Sequence, residues 1–266
     1  MTTIAILGLG EAGRIYARGL RDAGARVRGY DLSPDARPAG VERARTVAEA
    51  AAGTEVVLSL VGAHAAADVA AAALPALDGT TVYADLNTAS PEVKQSIGAL
   101  AAAHGVPMAD VAVLAPVPRA GHRTELLASG PGAALLAERL DPLQVPITTL
   151  DAEVGEAARL KLLRSVFMKG LAALVVEGDA AARAVGAATW LREQMAHELG
   201  PDGAALLDRL IDGTRQHARR RRDEVRDALD MLVAARQPAD MTRATLTWFE
   251  RLVAQEEDAA AAASGA

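Results

Sequence analysis

The chain has no cysteine, which excludes disulfides, thiolate metal ligands and thiol nucleophiles together. Aromatic residues are scarce, with two Trp, three Tyr and two Phe in 266 residues. An all-β architecture is therefore disfavoured, and closely packed Ala-rich helices are expected. Positive charge is outweighed, because 28 Lys and Arg stand against 34 Asp and Glu for a formal charge of −6. Such a surface repels a polyanion and argues against general nucleic-acid binding. Long apolar runs are missing as well: His64, Asp68 and Pro75 interrupt the Ala-rich stretches, so no membrane span is expected. A strand beginning by Thr3 leaves no room for a leader segment, and the reading is of a soluble, cytoplasmic protein. His64, His104, His122 and His197 are scattered without metal-ligand spacing, and no metal site is expected.

What is present is alternation. Apolar strand patterns at Thr3–Leu7, Arg26–Tyr30, Glu55–Val61 and Thr81–Leu86 are separated by helical patterns at Glu11–Ala23, Ala65–Leu74 and Pro91–His104. Thr46 and Glu49 form a capping box for a short helix before Gly53. Weaker strand patterns follow at Met108–Leu114 and Glu125–Ser129. Strand, helix, strand repeated in this way predicts an α/β fold, a doubly wound parallel sheet of Rossmann type. From about Glu156 apolar residues recur at helical spacing almost to the end, broken mainly by Gly200-Pro201, Gly213 and Pro238. Two domains are expected: residues 1–153 for the cofactor and an all-helical domain, 154–266, for substrate and dimerisation. The tail from Ala259 to Ala266 has nothing bulky to bury and is expected to fray.

Gly8, Gly10 and Gly13 spell GLGEAG between the first strand and the first helix. The first glycine permits the tight turn, the second lets backbone approach a pyrophosphate, and the third lets helix and strand pack closely. Gly8, Leu9, Gly10, Glu11, Ala12 and Gly13 are thus candidate cofactor contacts, with free N–H groups at the helix start to meet phosphate. Asp31 lies at the end of the second strand, where a carboxylate accepts hydrogen bonds from the adenosine ribose; this favours NAD, with NADP as the other option if Arg28 or Arg37 offsets the charge. A turn-forming role for Asp31 ahead of Ser33-Pro34 competes with that reading. Val61 and Gly62 lie at the carboxyl end of the predicted strand Glu55–Val61, the sheet edge that binds ligands in such folds. Asn87 and Thr88 precede a proline-initiated helix and are candidates to grip a substrate carboxylate or hydroxyl, with helix capping as the rival role of Thr88.

With GLGEAG, the segments DLNTASP (Asp85–Pro91) and GEAARLK (Gly155–Lys161) occur in one order along the chain. Together they resemble the β-hydroxyacid dehydrogenase superfamily, nearest to a less characterised branch of 6-phosphogluconate-dehydrogenase-like proteins. The resemblance implies that Lys161 is the catalytic lysine. Ser165 stands where the family has asparagine, Asn87 where it has serine, and Ala112–Pro116 replace a glycine-rich turn.

Oxidising a secondary alcohol requires a base for the hydroxyl proton as hydride leaves. An ordinary lysine, with a pKa of ~10.4, is a poor base unless burial or a neighbouring cation disfavours its charged form. Arg164 and Ser165 share a helical face with Lys161, so Ser165 is a candidate to orient substrate. In the run HARRRRDE, Arg219 with Asp223 and Arg220 with Glu224 are four-apart pairs that satisfy an exposed helix. The resemblance adds His217 as a candidate for an anionic group of the substrate. The resulting expectation is an NAD-preferring dehydrogenase of small hydroxy acids, active as a homodimer through its helical half. Its rivals are an imine or ketone reductase of the same layout and a non-catalytic NAD-binding sensor.

Overall fold

The computed structural model describes residues 1–264. The chain divides into two compact units, Met1–Lys161 and a second from Leu162 onward.

In the first unit, among the described residues, eight strands form one sheet. They are β1 (Thr3–Leu7), β2 (Arg26–Tyr30), β3 (Glu42–Arg43), β4 (Val56–Ser59), β5 (Val82–Asp85), β6 (Met108–Val113), β7 (Leu126–Ser129) and β8 (Ile147–Thr149). Their spatial order is β3-β2-β1-β4-β5-β6-β7-β8, and every neighbouring pair is parallel except β6 with β7. The strand order reverses between β1 and β4, and the crevice that binds ligands in a doubly wound sheet opens beyond the carboxyl ends of those two strands. Helices α1 (Glu11–Asp22), α2 (Val47–Ala51), α3 (Ala63–Ala73), α4 (Pro91–Ala103), α5 (Val117–Ala120) and α6 (Ala133–Leu140) connect the strands.

Helices cover both faces of the sheet, which explains why β1, β4 and β5 read as continuous apolar runs. On one face Ile4, Ile6, Val56, Leu58 and Val82 pack with Tyr16 and Leu20 of α1 and Leu136 of α6. On the other, Ala5, Leu7, Val57 and Tyr83 pack with Ala66 and Ala70 of α3 and Ile97 of α4. Thr46 caps α2 as expected, accepting from the Glu49 N–H at 3.0 Å. The Glu49 carboxylate, however, reaches back to Arg45 N at 2.8 Å rather than to the cap itself. Strands β3 and β8 and helix α6 have no counterpart in the sequence reading. β3 is only two residues long, and β8 is an edge strand whose two threonines are exposed, so neither shows a buried alternation.

The second unit is helical. It holds most of α7 (Glu156–Ala184), with α8 (Ala188–Glu198), α9 (Gly203–Gln216), α10 (Ala218–Ala234) and α11 (Asp240–Ser264). Ala172, Val175 and Val176 of α7 pack with Leu207, Leu210 and Ile211 of α9. Ala173 joins Val225 and Phe249, and the Trp248 indole N–H donates to Ala173 O at 2.7 Å. The helix breaks expected at Gly200-Pro201 and Pro238 are present, but α9 runs through Gly213 and the chain turns at His217 instead. Gly213 lies inside the helix, where a Cβ would come 2.9 Å from Arg221 Nη2, the movable end of a side chain. Helix α11 continues to Ser264 where fraying from Ala259 was expected; residues 265 and 266 of that tail lie outside the described residues. No described helix is long and apolar enough to cross a membrane.

Candidate active site

The glycine turn carries three different constraints. Gly8 has φ +92° and donates its N–H to Tyr30 O at 2.8 Å; a Cβ there would sit 2.5 Å from Leu60 O. Only glycine meets both conditions without strain. At Gly13 a Cβ would fall 1.8 Å from Gly8 O, so the helix lies directly on the turn. At Gly10 a Cβ would meet nothing within 4 Å. Gly10 is the N-cap of α1, and no side chain caps that helix. The combination is an uncapped, electropositive helix start behind a glycine whose outer side is open, which fits a pyrophosphate. Glu11 is exposed and Ala12 half-buried at this start. Leu9 is turned away: its side chain is buried in the core, and its N–H donates to Asp31 Oδ2 at 2.6 Å.

Asp31 therefore performs two structural tasks. Besides holding Leu9, its Oδ1 accepts from Ser33 N at 2.8 Å, so the turn-forming role weighed from the sequence is real. A carboxylate has further lone pairs for ribose hydroxyls. Both arginines considered as partners for a 2′-phosphate are engaged with backbone carbonyls, Arg28 with Glu49 O and Ala52 O at 2.9 Å and Arg37 with Pro34 O at 2.9 Å.

At the carboxyl ends of β4 and β5 the structure joins residues that the sequence singled out separately. Gly62, with φ +92°, caps α3 and donates its N–H to Asn87 Oδ1 at 2.7 Å; Val61 beside it is half-buried. Asn87 is 5% exposed and its Nδ2 reaches Ser59 Oγ at 3.0 Å and Asp85 Oδ1 at 2.5 Å. The Asn87 amide is thus engaged with protein groups and braces Gly62. Thr88, the next residue, is exposed, and its Oγ1 accepts from Lys161 Nζ at 2.9 Å. Lys161 lies in the first turns of α7, so its amine reaches the sheet edge at which the glycine turn also sits.

Behind this edge is a buried ionic cluster that the sequence reading missed. Asp85, Asp110 and Lys94 are at most 1% exposed. Lys94 Nζ lies 3.4 Å from Asp85 Oδ2 and 3.2 Å from Asp110 Oδ1. Tyr83, also buried, has its phenol pushed far up by burial and by the Asp85 charge, so it stays protonated at neutral pH.

In the second unit Ser165 is buried on the face of α7 that carries Lys161. His217 is half-buried at the junction of α9 and α10, where its carbonyl accepts from Arg221 N at 3.0 Å. The arginine run is largely an ion-paired surface. Arg222 pairs with Asp223 at 2.8 Å, Arg226 with Glu250 at 3.2 Å and Arg220 with Glu224 at 3.9 Å. Arg219 bonds Glu257 at 2.8 Å rather than the expected Asp223. Arg221 alone of the run points inward, donating to the buried Thr214 hydroxyl at 2.5 Å, and burial lowers its pKa while Glu224 opposes the shift. Lys169 pairs with Glu224 at 2.7 Å, a half-buried bridge between α7 and α10.

Residues 3–143 match the family described as the NAD binding domain of 6-phosphogluconate dehydrogenase, and residues 182–252 match one described as a domain of unknown function (DUF1932). A conserved hypothetical protein from Sinorhizobium meliloti of known structure is 33% identical with a TM-score of 0.75, the alignment covering 94% of this chain and 88% of that one. A probable 3-hydroxyisobutyrate dehydrogenase of Mycobacterium tuberculosis is 34% identical over 173 residues, 60% of this chain and 58% of the relative. The solved 3-hydroxyisobutyrate dehydrogenase of Mycobacterium tuberculosis with L-serine shares the fold at 22% identity and a TM-score of 0.81, covering 96% of this chain and 94% of that one.

Proposed function

The chain belongs to the β-hydroxyacid dehydrogenase superfamily, and from that premise we propose an oxidoreductase that moves hydride between NAD and a small hydroxy acid or related β-hydroxy compound, with Lys161 as general acid/base. One observation carries the reading: the Lys161 amine meets Thr88 at 2.9 Å, beside the carboxyl ends of the parallel strands whose first turn is the glycine loop. Gly8, Gly10 and Gly13, the N–H groups at the start of α1 and the Asp31 carboxylate would hold the dinucleotide, and Val61 and Gly62 would line it. Bound there, the nicotinamide supplies a hydride acceptor or donor. Lys161 then takes the substrate hydroxyl proton in oxidation or returns it in reduction, and Thr88 orients the amine between turnovers and a substrate hydroxyl during them. Ser165 and His217 are proposed to contact the remainder of the substrate.

A thermal-shift screen with NAD, NADP and a panel of hydroxy acids tests the reading, because selective ligands raise the melting temperature of the state they bind. NAD should shift the transition more than NADP, and at least one β-hydroxy acid should add to the shift. Indifference to both dinucleotides would remove the proposal. The preference for NAD is ascribed to the Asp31 charge. Asp31→Asn removes the charge and keeps one of the two acceptors, leaving either the Leu9 or the Ser33 N–H against the amide NH2 at some cost in stability; it should raise the NADP-to-NAD affinity ratio about tenfold, an effect of ~1.4 kcal/mol. An unchanged ratio would assign Asp31 to the turn alone.

Assembly as a homodimer through the helical unit belongs to the same proposal. Leu163, Phe167 and Leu174 lie on one face of α7 at 41%, 67% and 68% exposure, a seam that costs solubility unless covered. A Phe167→Asp/Leu174→Asp variant should sediment as a monomer where the parent sediments as a dimer. A parent that is monomeric at all concentrations would contradict this.

A further inference from the structure

Lysine is rare in this chain: residues 94, 161 and 169 are its only lysines among 28 basic residues. All three are buried or half-buried, and the most deeply buried, Lys94, has no part in the reaction described above. Its surroundings are unusual. Asp85 and Asp110 are direct cross-strand partners on β5 and β6, both with no exposure. Like charges facing each other across a strand pair repel, the more so away from water. Helix α4 brings Lys94 Nζ between them, 3.4 Å from Asp85 Oδ2 and 3.2 Å from Asp110 Oδ1, where it also donates to Asp85 O at 2.7 Å.

One ammonium against two carboxylates leaves one negative charge over, and the start of α7 receives it. Asp110 Oδ2 accepts the N–H groups of Gly155 at 3.1 Å and Ala158 at 3.0 Å, with the helix N-terminus adding its partial positive charge. Ser129 Oγ, 3.5 Å from the same oxygen, accepts from Ala157 N at 3.1 Å. A carboxylate is required at 110, since one oxygen faces the ammonium as an ion pair while the other accepts the helix N–H groups; an asparagine would turn its NH2 either on the ammonium or on the helix N–H groups. The other oxygen of Asp85 accepts from Asn87 N at 2.9 Å and from Asn87 Nδ2, and Asn87 in turn holds Gly62.

We infer that Lys94 is a positioning residue: by neutralising the Asp85–Asp110 pair it sets the first turn of α7, and so places Lys161 against Thr88. Its meaning for catalysis rests on the reading of Lys161 given above, whereas the placement itself does not. The cluster ties the helix that carries the amine, the segment that carries Thr88 and the start of α3 into one buried unit.

Acetylation of the full-length chain, read by mass spectrometry as modified Lys161 relative to modified Lys169, follows the placement without turnover. Lys169, paired with Glu224, is the internal reference. Asp110→Ala should raise this ratio about threefold or more and lower kcat about tenfold, while the Kd for NADH stays within about twofold, the split expected of a group acting on the chemical step. Lys94→Met should do the same. In Lys94→Met/Asp110→Asn the new amide donates to Asp85 and accepts from Gly155 and Ala158, so the ratio should return to within about twofold of the parent, a non-additive result. A folded Asp110→Ala with an unchanged ratio, or a double variant worse than Lys94→Met, overturns the inference. Should Lys94→Met not fold, Asp110→Ala decides; should neither fold, a folded double variant supports the coupling and an unfolded one overturns it. If the parent transfers no hydride to any acid tested, the catalytic reading fails and the labelling ratio still judges the placement.

Discussion

Lys161→Ala is expected to lower turnover about 10³-fold, the scale of a lost general acid/base, with NADH affinity held within a factor of about two. The separation follows from position. The amine meets Thr88 at 2.9 Å, on a different element from Gly8–Gly13 and Asp31, so its removal leaves the dinucleotide contacts intact. Lys161→Arg discriminates a proton carrier from a mere cation. The guanidinium keeps the positive charge but does not give up its proton near neutral pH, so Lys161→Arg should stay as inactive as Lys161→Ala. Recovery of turnover by arginine would reassign the residue to electrostatic binding. The limb of the pH–kcat/KM profile that reports the essential base should vanish from whatever residual rate remains.

Gly13→Ala and Gly10→Ala should separate folding from cofactor binding within four residues. At Gly13 the added methyl would lie 1.8 Å from Gly8 O and 2.9 Å from Gly8 C. Both are backbone atoms, so no rotamer change relieves the overlap, and α1 must move off β1. That helix buries Tyr16, Ala17 and Leu20 completely, and lifting it loosens the core beneath. A cost of about 3 kcal/mol is expected from such overpacking, a fall of roughly 10 °C in Tm for a chain of this size, together with loss of NAD binding. Gly10→Ala meets no protein atom within 4 Å and should change stability by less than about 1 kcal/mol. It should nevertheless weaken NAD tenfold or more, on the order of 1.4 kcal/mol, because its methyl occupies the space the pyrophosphate needs. Equal NAD affinity in Gly10→Ala and the parent would show that the open side of the turn is not where the dinucleotide lies.

The parts of the fold that were legible in the sequence are those determined by neighbours in the chain. β1, the glycine turn and α1 form a contiguous pattern, and β4 and β5 show themselves because strands covered on both faces must be apolar throughout. The break at Pro238 and the cap at Thr46 are likewise local chemistry. What escaped depends on distant partners. β8 is defined by pairing with β7, and its three residues, though all β-branched, are too few and too exposed to mark a strand by themselves. Gly213 read as a helix terminator because only the fold brings Arg221 against it. Asn87 was legible only by its type and place, whereas its bonds to Ser59 at the end of β4 and to Gly62 at the start of α3 are set by the fold. The Lys94 cluster was invisible for the same reason: an aspartate ending a strand and a lysine in a helix are ordinary until the register sets Asp85 beside Asp110. A buried position for lysine within the otherwise apolar face of α4, next to Ile97 and Ala101, was the one signal available.

Deuterium transfer tests the central claim most directly. A panel of β-hydroxy acids deuterated at the carbinol carbon, incubated with NAD and the parent protein, should deliver the label to C4 of the nicotinamide, as read by proton NMR of the reduced cofactor, and Lys161→Ala should deliver none above background. Tight NAD binding with no label transferred by the parent, or equal transfer by Lys161→Ala, would contradict it.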